Sequence, residues 1–185
     1  MRIAVYSGTF NPLHKGHLAI MEYFSKSGSF DGVYLIVSPL NPLKSGQAQP
    51  SGQERYRAAL EAVGRYPELR VKVDDIELGM APPHYTVKTL DALRSREPGN
   101  EFTLVIGADN LENIRRWRDY QRILREFGVV VYPRQGVDLP LVREDLLNEC
   151  PDYKIQLADA PTVDISSTEI RQGEAEGKDM SSSRM

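Results

Sequence analysis

Residues 33–37 read Val-Tyr-Leu-Ile-Val, an unbroken apolar run. A strand apolar on both faces needs cover on both, and a central strand of a parallel sheet receives it from helices. Similar short runs occupy 3–6, 102–106 and 129–132, while Val71 with Val73, and Ile155 with Leu157, mark two weaker strands. Helical spacing fills the intervals. Leu18, Ile20, Met21 and Phe24 share a pattern that Gly28 stops. Ser51-x-x-Glu54 has the spacing of a capping box and opens a helix to about residue 63. Further helical signal covers 85–93, the stretch through Trp117 to Leu124, 141–147, and the segment that 165–171 opens. Strands alternating with helices predict an α/β fold: a doubly wound, mostly parallel sheet of five to six strands with helices on both faces.

The chain has 185 residues and no break in composition up to residue 173, so 1–173 reads as one domain. Residues 174–185 are rich in Gly, Glu, Lys and Ser and are expected to be disordered. A net charge of −3 argues against a broad nucleic-acid surface. One cysteine, Cys150, leaves no internal disulfide and favours a reducing cytoplasm. The apolar run after Met1 is too short for a signal peptide, and no stretch nears the roughly 20 apolar residues of a membrane span.

In a parallel sheet, ligands bind beyond the carboxyl ends of the strands. Four strand ends carry unusual residues: Gly8-Thr9, 39–44, Gly107 to Asp109, and Arg134 to Gly136. The first leads into "GTFNPLHKGH", which holds two of the three histidines, His14 and His17, one helical turn apart. Metal ligation by the pair lacks the third and fourth ligands that zinc requires. Histidines that merely cap a turn are a second reading. Two phosphate donors beside a helix whose free N–H groups attract an anion are the third and favoured one. Far along the chain, "ISSTEIR" contains a capping box, Ser166-x-x-Glu169. That box leaves Ser167, Thr168 and Arg171 over, which would suit a second anion site. The glycine-rich phosphate loop and the dinucleotide fingerprint are both absent.

"GTFNPLHKGH" resembles the G-x-F-x-P-x-H-x-G-H signature of the H-x-G-H nucleotidyltransferase superfamily, and "ISSTEIR" resembles its I-S-S-T-x-I-R signature. Within it, "HYTVKTLDALR", "VIGADNLENIRRW" and "YPRQG" are similar to nicotinate-nucleotide adenylyltransferases. The resemblance implies a Rossmann-like fold and transfer of adenylate from ATP to nicotinate mononucleotide. The products would be nicotinate adenine dinucleotide and pyrophosphate, and Mg²⁺ would be carried mainly by the ATP phosphates rather than by protein ligands. It further implies that Gly8, Thr9, Phe10, His14, His17, Gly107, Asp109, Ile165, Ser166, Ser167, Thr168 and Arg171 bind ATP. Lys44, Thr86, Asp109, Asn110, Trp117, Arg118 and Arg134 would meet the mononucleotide. His14, His17, Lys44 and Arg171 would carry catalysis. Each of several has a plain alternative: Asp109 as a helix N-cap, Lys44 as a solvated loop lysine, Trp117 as core. The implied partners are the two small substrates, with no nucleic acid, no membrane, and room for a homo-oligomer.

The chain departs from the family pattern at "NPLK", where Leu43 replaces the histidine of a P-P-H-K form, and at Arg118, where many relatives carry an aromatic. Arg115, Arg116 and Arg118 make this stretch basic, which a solvated helix face would explain. One of them pairing with the nicotinate carboxylate would favour the acid over the amide substrate. The rivals are an amide or dual-specificity enzyme, a pantetheine-phosphate adenylyltransferase, and a non-catalytic ATP-binding domain. The Pro- and Gly-containing loop 38–52 is expected to close over substrates.

Overall fold

The computed structural model describes residues 1–40, 48–162 and 166–185. Six parallel strands form one sheet: β1 (Arg2–Gly8), β2 (Gly32–Val37), β3 (Val71–Asp74), β4 (Glu101–Gly107), β5 (Val129–Tyr132) and β6 (Ile155–Leu157). Their order is β3-β2-β1-β4-β5-β6. The order reverses between β1 and β4, where Val5 is level with Leu104 and Tyr6 with Val105. Such a switch point opens a crevice at the carboxyl edge. The doubly wound α/β fold expected from the apolar runs is therefore present, with all six strands parallel.

The helices are α1 (Lys15–Lys26), α2 (Gly52–Gly64), α3 (Thr86–Arg96), α4 (Ala108–Glu112), α5 (Tyr120–Arg122), α6 (Leu139–Glu149) and α7 (Ser167–Ala175). The sheet separates two apolar layers. Val5, Ile36, Leu104 and Val131 face a layer that includes Leu90, Leu93 and Ile114; Ala4, Leu35, Val105 and Val130 face one with Ile20, Met21 and Phe24. Alternate residues of the central strands thus serve opposite cores, the reason their sequences are apolar without interruption. Capping sets the helix starts. The Ser51–Glu54 and Ser166–Glu169 boxes form as expected. Helix α6 begins at Leu139, because the Asp138 carboxylate accepts the Leu141 N–H. Residues 123–127 wind as a π-helix against the core.

Residues 178–185, expected to be disordered, instead lie back on the domain. The Ser183 carbonyl accepts the Lys15 N–H at 3.0 Å, and Arg184 bridges backbone-to-backbone with His14. The Arg184 guanidinium holds Glu174 at 2.7 and 2.9 Å. Met180 fills the space over Gly173, where an added Cβ would lie 2.6 Å from its sulfur. Composition alone shows none of this, since isolated apolar anchors such as Met180 leave no periodicity. No helix among the described residues is long and apolar enough to cross a membrane.

Candidate active site

The carboxyl ends of β1 and β5 and the starts of α1 and α7 enclose a cavity of about 670 Å³. Its walls include Gly8, Thr9, Phe10, His14 and His17 from the first signature and Ser166 and Ser167 from the second, with Asp109 and Arg134 opposite. Tyr6 and Tyr132 also line it. Those two belong to the strand runs, so sequence pattern marks them as core.

β1 ends in Gly8 because the chain doubles onto itself there: a Cβ would lie 3.2 Å from the Phe10 ring. Phe10 itself has φ +48, a left-handed conformation that costs a bulky residue energy. The buried ring repays that strain by packing edge-on to Tyr6 at 5.5 Å and to His17 at 5.0 Å. Gly107 at the end of β4 is similarly crowded, since a Cβ would lie 2.7 Å from the Asp109 carboxylate and 3.0 Å from the Tyr132 ring.

His14 is the N-cap of α1. Its Nδ1 accepts the N–H groups of Gly16 at 3.0 Å and His17 at 3.4 Å. The His17 Nδ1 in turn accepts the His14 N–H at 3.1 Å. The two rings stack with centroids 3.6 Å apart. Because both Nδ1 atoms are acceptors, each neutral ring carries its proton on Nε2. Burial pushes His14 down to about 4, aided by the positive charge of Arg134 and opposed by Glu169. Burial, then His14 and Arg134, push His17 down to about 3. Both rings are neutral at pH 7 and each offers one Nε2–H donor.

This geometry corrects one expectation. The N–H groups of α1 are not free for an anion: Gly16 and His17 donate to the His14 ring, and Lys15 donates to the Ser183 carbonyl. The His14 ring takes up those backbone donors and, as a lining residue of the cavity, keeps one donor of its own on Nε2.

In α7 the Ser166 hydroxyl is spent on the Glu169 N–H. The Ser167 hydroxyl donates to the Pro12 carbonyl at 2.7 Å, and the Arg171 guanidinium donates to the Asn11 carbonyl and to the Thr168 hydroxyl. The second signature therefore braces the Asn11-Pro12 turn of the first across more than 150 residues of chain. Thr168, Arg171 and Gly107 do not line the cavity, unlike Ser166, Ser167 and Asp109. Asp109 is not an N-cap; Gly107 is, and Asp109 stands exposed in the first turn of α4, 3.7 Å from Arg134. Lys44 and Ile165 lie outside the described residues, as do Asn41 to Leu43 of the departing loop.

A second group gathers at the start of α3. Thr86 is its first residue, after Tyr85. Tyr85 and Trp117, both partly buried, pack against the same core layer, which makes Trp117 a core-edge residue with an accessible side. The Arg118 guanidinium lies over the Tyr85 ring at 5.2 Å. Arg115 is engaged elsewhere, 3.1 Å from Glu149, and Arg116 is exposed. Asn110 follows Asp109 on α4 and is exposed. His84 bonds the Met80 carbonyl through Nε2. Among the described residues no three His, Cys, Asp or Glu side chains converge to cage a cation.

A cytidylyltransferase-like family model matches residues 5–173. A Flavobacterium johnsoniae protein named "Probable nicotinate-nucleotide adenylyltransferase" is 38% identical over 97% of this chain and 90% of its own. A Bacteroides thetaiotaomicron protein of the same name is 38% identical over 97% of this chain and 85% of its own. The fold matches a Plasmodium falciparum nicotinic acid mononucleotide adenylyltransferase complexed with NaAD. The TM-score is 0.76 at 19% identity, covering 97% of this chain and 87% of that one. The same enzyme complexed with APC gives a TM-score of 0.74 at 17% identity, over 97% and 87%. With its length matched almost end to end and both signatures lining one crevice, the chain belongs to the cytidylyltransferase-like family and, within it, to the nicotinate-nucleotide adenylyltransferases.

Proposed function

We propose that the crevice transfers adenylate from ATP to nicotinate mononucleotide, releasing nicotinate adenine dinucleotide and pyrophosphate. The observation that carries this reading is the pair of imidazoles lining a polar cavity, each with its Nδ1 taken by a backbone N–H and its proton therefore on Nε2. A phosphate monoester is already nucleophilic at neutral pH, so the reaction requires no general base. An oxygen of the mononucleotide phosphate bonds to the α-phosphorus of ATP, the bond from that phosphorus to the bridging oxygen breaks, and the electron pair leaves with pyrophosphate. Catalysis is then alignment and charge neutralisation.

His17 and His14 serve as donors to the phosphate oxygens as negative charge builds there. Arg134, held near Asp109, supplies the fixed positive charge opposite. Ser166 and Ser167 form the wall where the outer phosphates lie, and Arg171 keeps that wall registered on Asn11. Phe10 and Thr9 shape the adenosine side. Gly107, Asp109 and Asn110 frame ribose, while Trp117, Thr86 and Arg118 receive the nicotinate end, Trp117 by its ring face. Of the three arginines Arg118 is the one that lies over the ring of Tyr85, the residue before Thr86, so we assign it the nicotinate carboxylate. Lys44 is assigned the mononucleotide phosphate on its place in the sequence. Mg²⁺ neutralises phosphate charge and enters as the ATP complex, consistent with a hard cation that keeps its waters and substrate oxygens. A cytoplasmic setting fits the unbridged Cys150.

Pyrophosphate release tests the reading. Mg²⁺-ATP with nicotinate mononucleotide should turn over at a large preference over the amide. Turnover only with 4′-phosphopantetheine, or ATP binding without any turnover, would overturn it.

A further inference from the structure

Arg55 lies in the first turns of α2, far along the sequence from either signature, and is almost wholly buried at 3% exposure. An arginine this deep normally meets a carboxylate. Among the described residues Arg55 meets backbone carbonyls instead. Its Nη1 donates to the Thr9 carbonyl at 2.7 Å and to the Ser38 carbonyl at 2.7 Å, and its Nε to the Pro50 carbonyl at 3.4 Å. Thr9 belongs to the loop after β1 and Ser38 to the loop after β2. The Ser38 N–H also donates to the Gly8 carbonyl at 2.8 Å, so the two loops are sewn together on two sides. Gly52 sits close over this junction, where a Cβ would lie 3.5 Å from Nη2 and 2.6 Å from the Leu78 side chain.

We propose that Arg55 is a positioning residue for adenylyl transfer: one guanidinium nitrogen joins the Thr9 carbonyl to the Ser38 carbonyl and fixes the spacing between the two substrate loops. The inference rests on the reading above that the loop after β1 holds ATP and the loop after β2 holds the mononucleotide. In-line attack requires the acceptor phosphate and the α-phosphorus to meet at a set distance, and each loop alone controls only one of them. A planar guanidinium nitrogen whose two hydrogens bond two carbonyls sets that distance, and the group's weak hydration suits burial. Burial lowers the Arg55 pKa from its ordinary value, yet a guanidinium stays charged across the working range.

The experiment compares wild type, Arg55→Ala and Arg55→Lys. Pyrophosphate release gives kcat, calorimetry gives the Kd of each substrate added alone, and hydrogen exchange reports the Ser38 amide. Arg55→Ala is expected to lower kcat by about tenfold to a hundredfold, the cost of a misplaced reacting atom. Each separate Kd should hold within about threefold, since each loop keeps its own contacts. Guanidinium ion should restore part of the lost rate, and Ser38 should exchange faster. Arg55→Lys retains the charge but not the planar, fixed pair of hydrogens on Nη1 and should show a smaller kcat loss; it also serves if the alanine variant does not fold. Unchanged kcat, or kcat and both Kd values worsening together without rescue, would overturn the clamp. If wild type itself does not turn over, the activity reading falls. The clamp is then judged by exchange at Ser38, where wild-type protection in Arg55→Ala refutes it.

Discussion

The His14 ring accepts the backbone N–H of His17 while the His17 ring accepts the backbone N–H of His14, so each imidazole fixes the other's residue and its own tautomer. The reciprocal bond is a capping box built from two histidines in place of the usual hydroxyl and carboxylate. It explains why a chain with so few histidines places two at one corner. A serine and a glutamate would cap α1 as well but would offer the cavity no N–H donor.

Separating the cap from the donor follows directly. Asparagine is a good N-cap, so His14→Asn should keep thermal stability close to wild type, whereas His14→Ala should lose about 1 kcal/mol. Both should lose activity, because neither places an imidazole Nε2–H in the cavity. Thermal melts beside steady-state kinetics check this.

Replacing His17 with alanine removes the donor proposed to act as charge develops. The expected result is a kcat lower by about 10²- to 10³-fold with a much smaller change in KM. An unchanged kcat would remove His17 from the transition state.

The pH dependence has a definite sign. Both histidines titrate lower in the folded protein than the ordinary value of 6.5, mainly through burial. Below about 6.5 the unfolded chain therefore binds protons that the folded protein refuses, and stability falls as pH drops toward the folded values. Urea unfolding at pH 7 and pH 5 should show this loss, and His17→Gln should show less of it. Arg134→Met removes a charge that disfavours both imidazolium forms, so both titration midpoints should move up.

Stability also depends on a pair remote from the crevice. Asp74 ends β3, is 3% exposed, and takes two bonds from Arg96 of α3 at 3.1 and 2.6 Å. Burial alone would raise this carboxyl, but the Arg96 bonds and charge outweigh it and hold it low. The contribution is complete above the ordinary carboxylate range and lost as pH falls through the lowered value. Arg96→Met should destabilise by about 2–3 kcal/mol, below the usual cost of a stranded buried charge because Lys72 remains 3.5 Å away. Denaturant midpoints measure it.

Selectivity between acid and amide is assigned to Arg118. Arg118→Ala should lower kcat/KM for nicotinate mononucleotide and leave the amide nearly unchanged, while Arg115→Ala, which removes only the ion pair to Glu149, should leave the ratio as it is. Equal wild-type efficiencies for acid and amide would contradict the assignment.

The central strands were legible because burial on both faces demands uninterrupted apolar residues, as in 33–37 and 102–106. The two signatures were legible because each puts rare residue types at fixed spacing. Arg55 was not. In an amphipathic helix an arginine reads as solvent-facing, and nothing local marks two carbonyls of the loops after β1 and β2 as its partners. The donors of α1 look free in the sequence for a related reason: only the folded chain shows the His14 ring and the Ser183 carbonyl consuming them. Asp109 resembled a cap, but the extended backbone of Gly107 starts α4 earlier. Ser167 and Arg171 could be located as a pair from sequence, yet their bonds to Pro12 and Asn11 join opposite ends of the chain.

The most direct test of the histidine account is ¹⁵N NMR of the two imidazoles without substrate, across pH 7 to 5. The account predicts neutral rings throughout, each with its proton on Nε2 and an acceptor at Nδ1, and a rate that does not break near the ordinary histidine pKa. A proton on either Nδ1, or an imidazolium at pH 6, would contradict it.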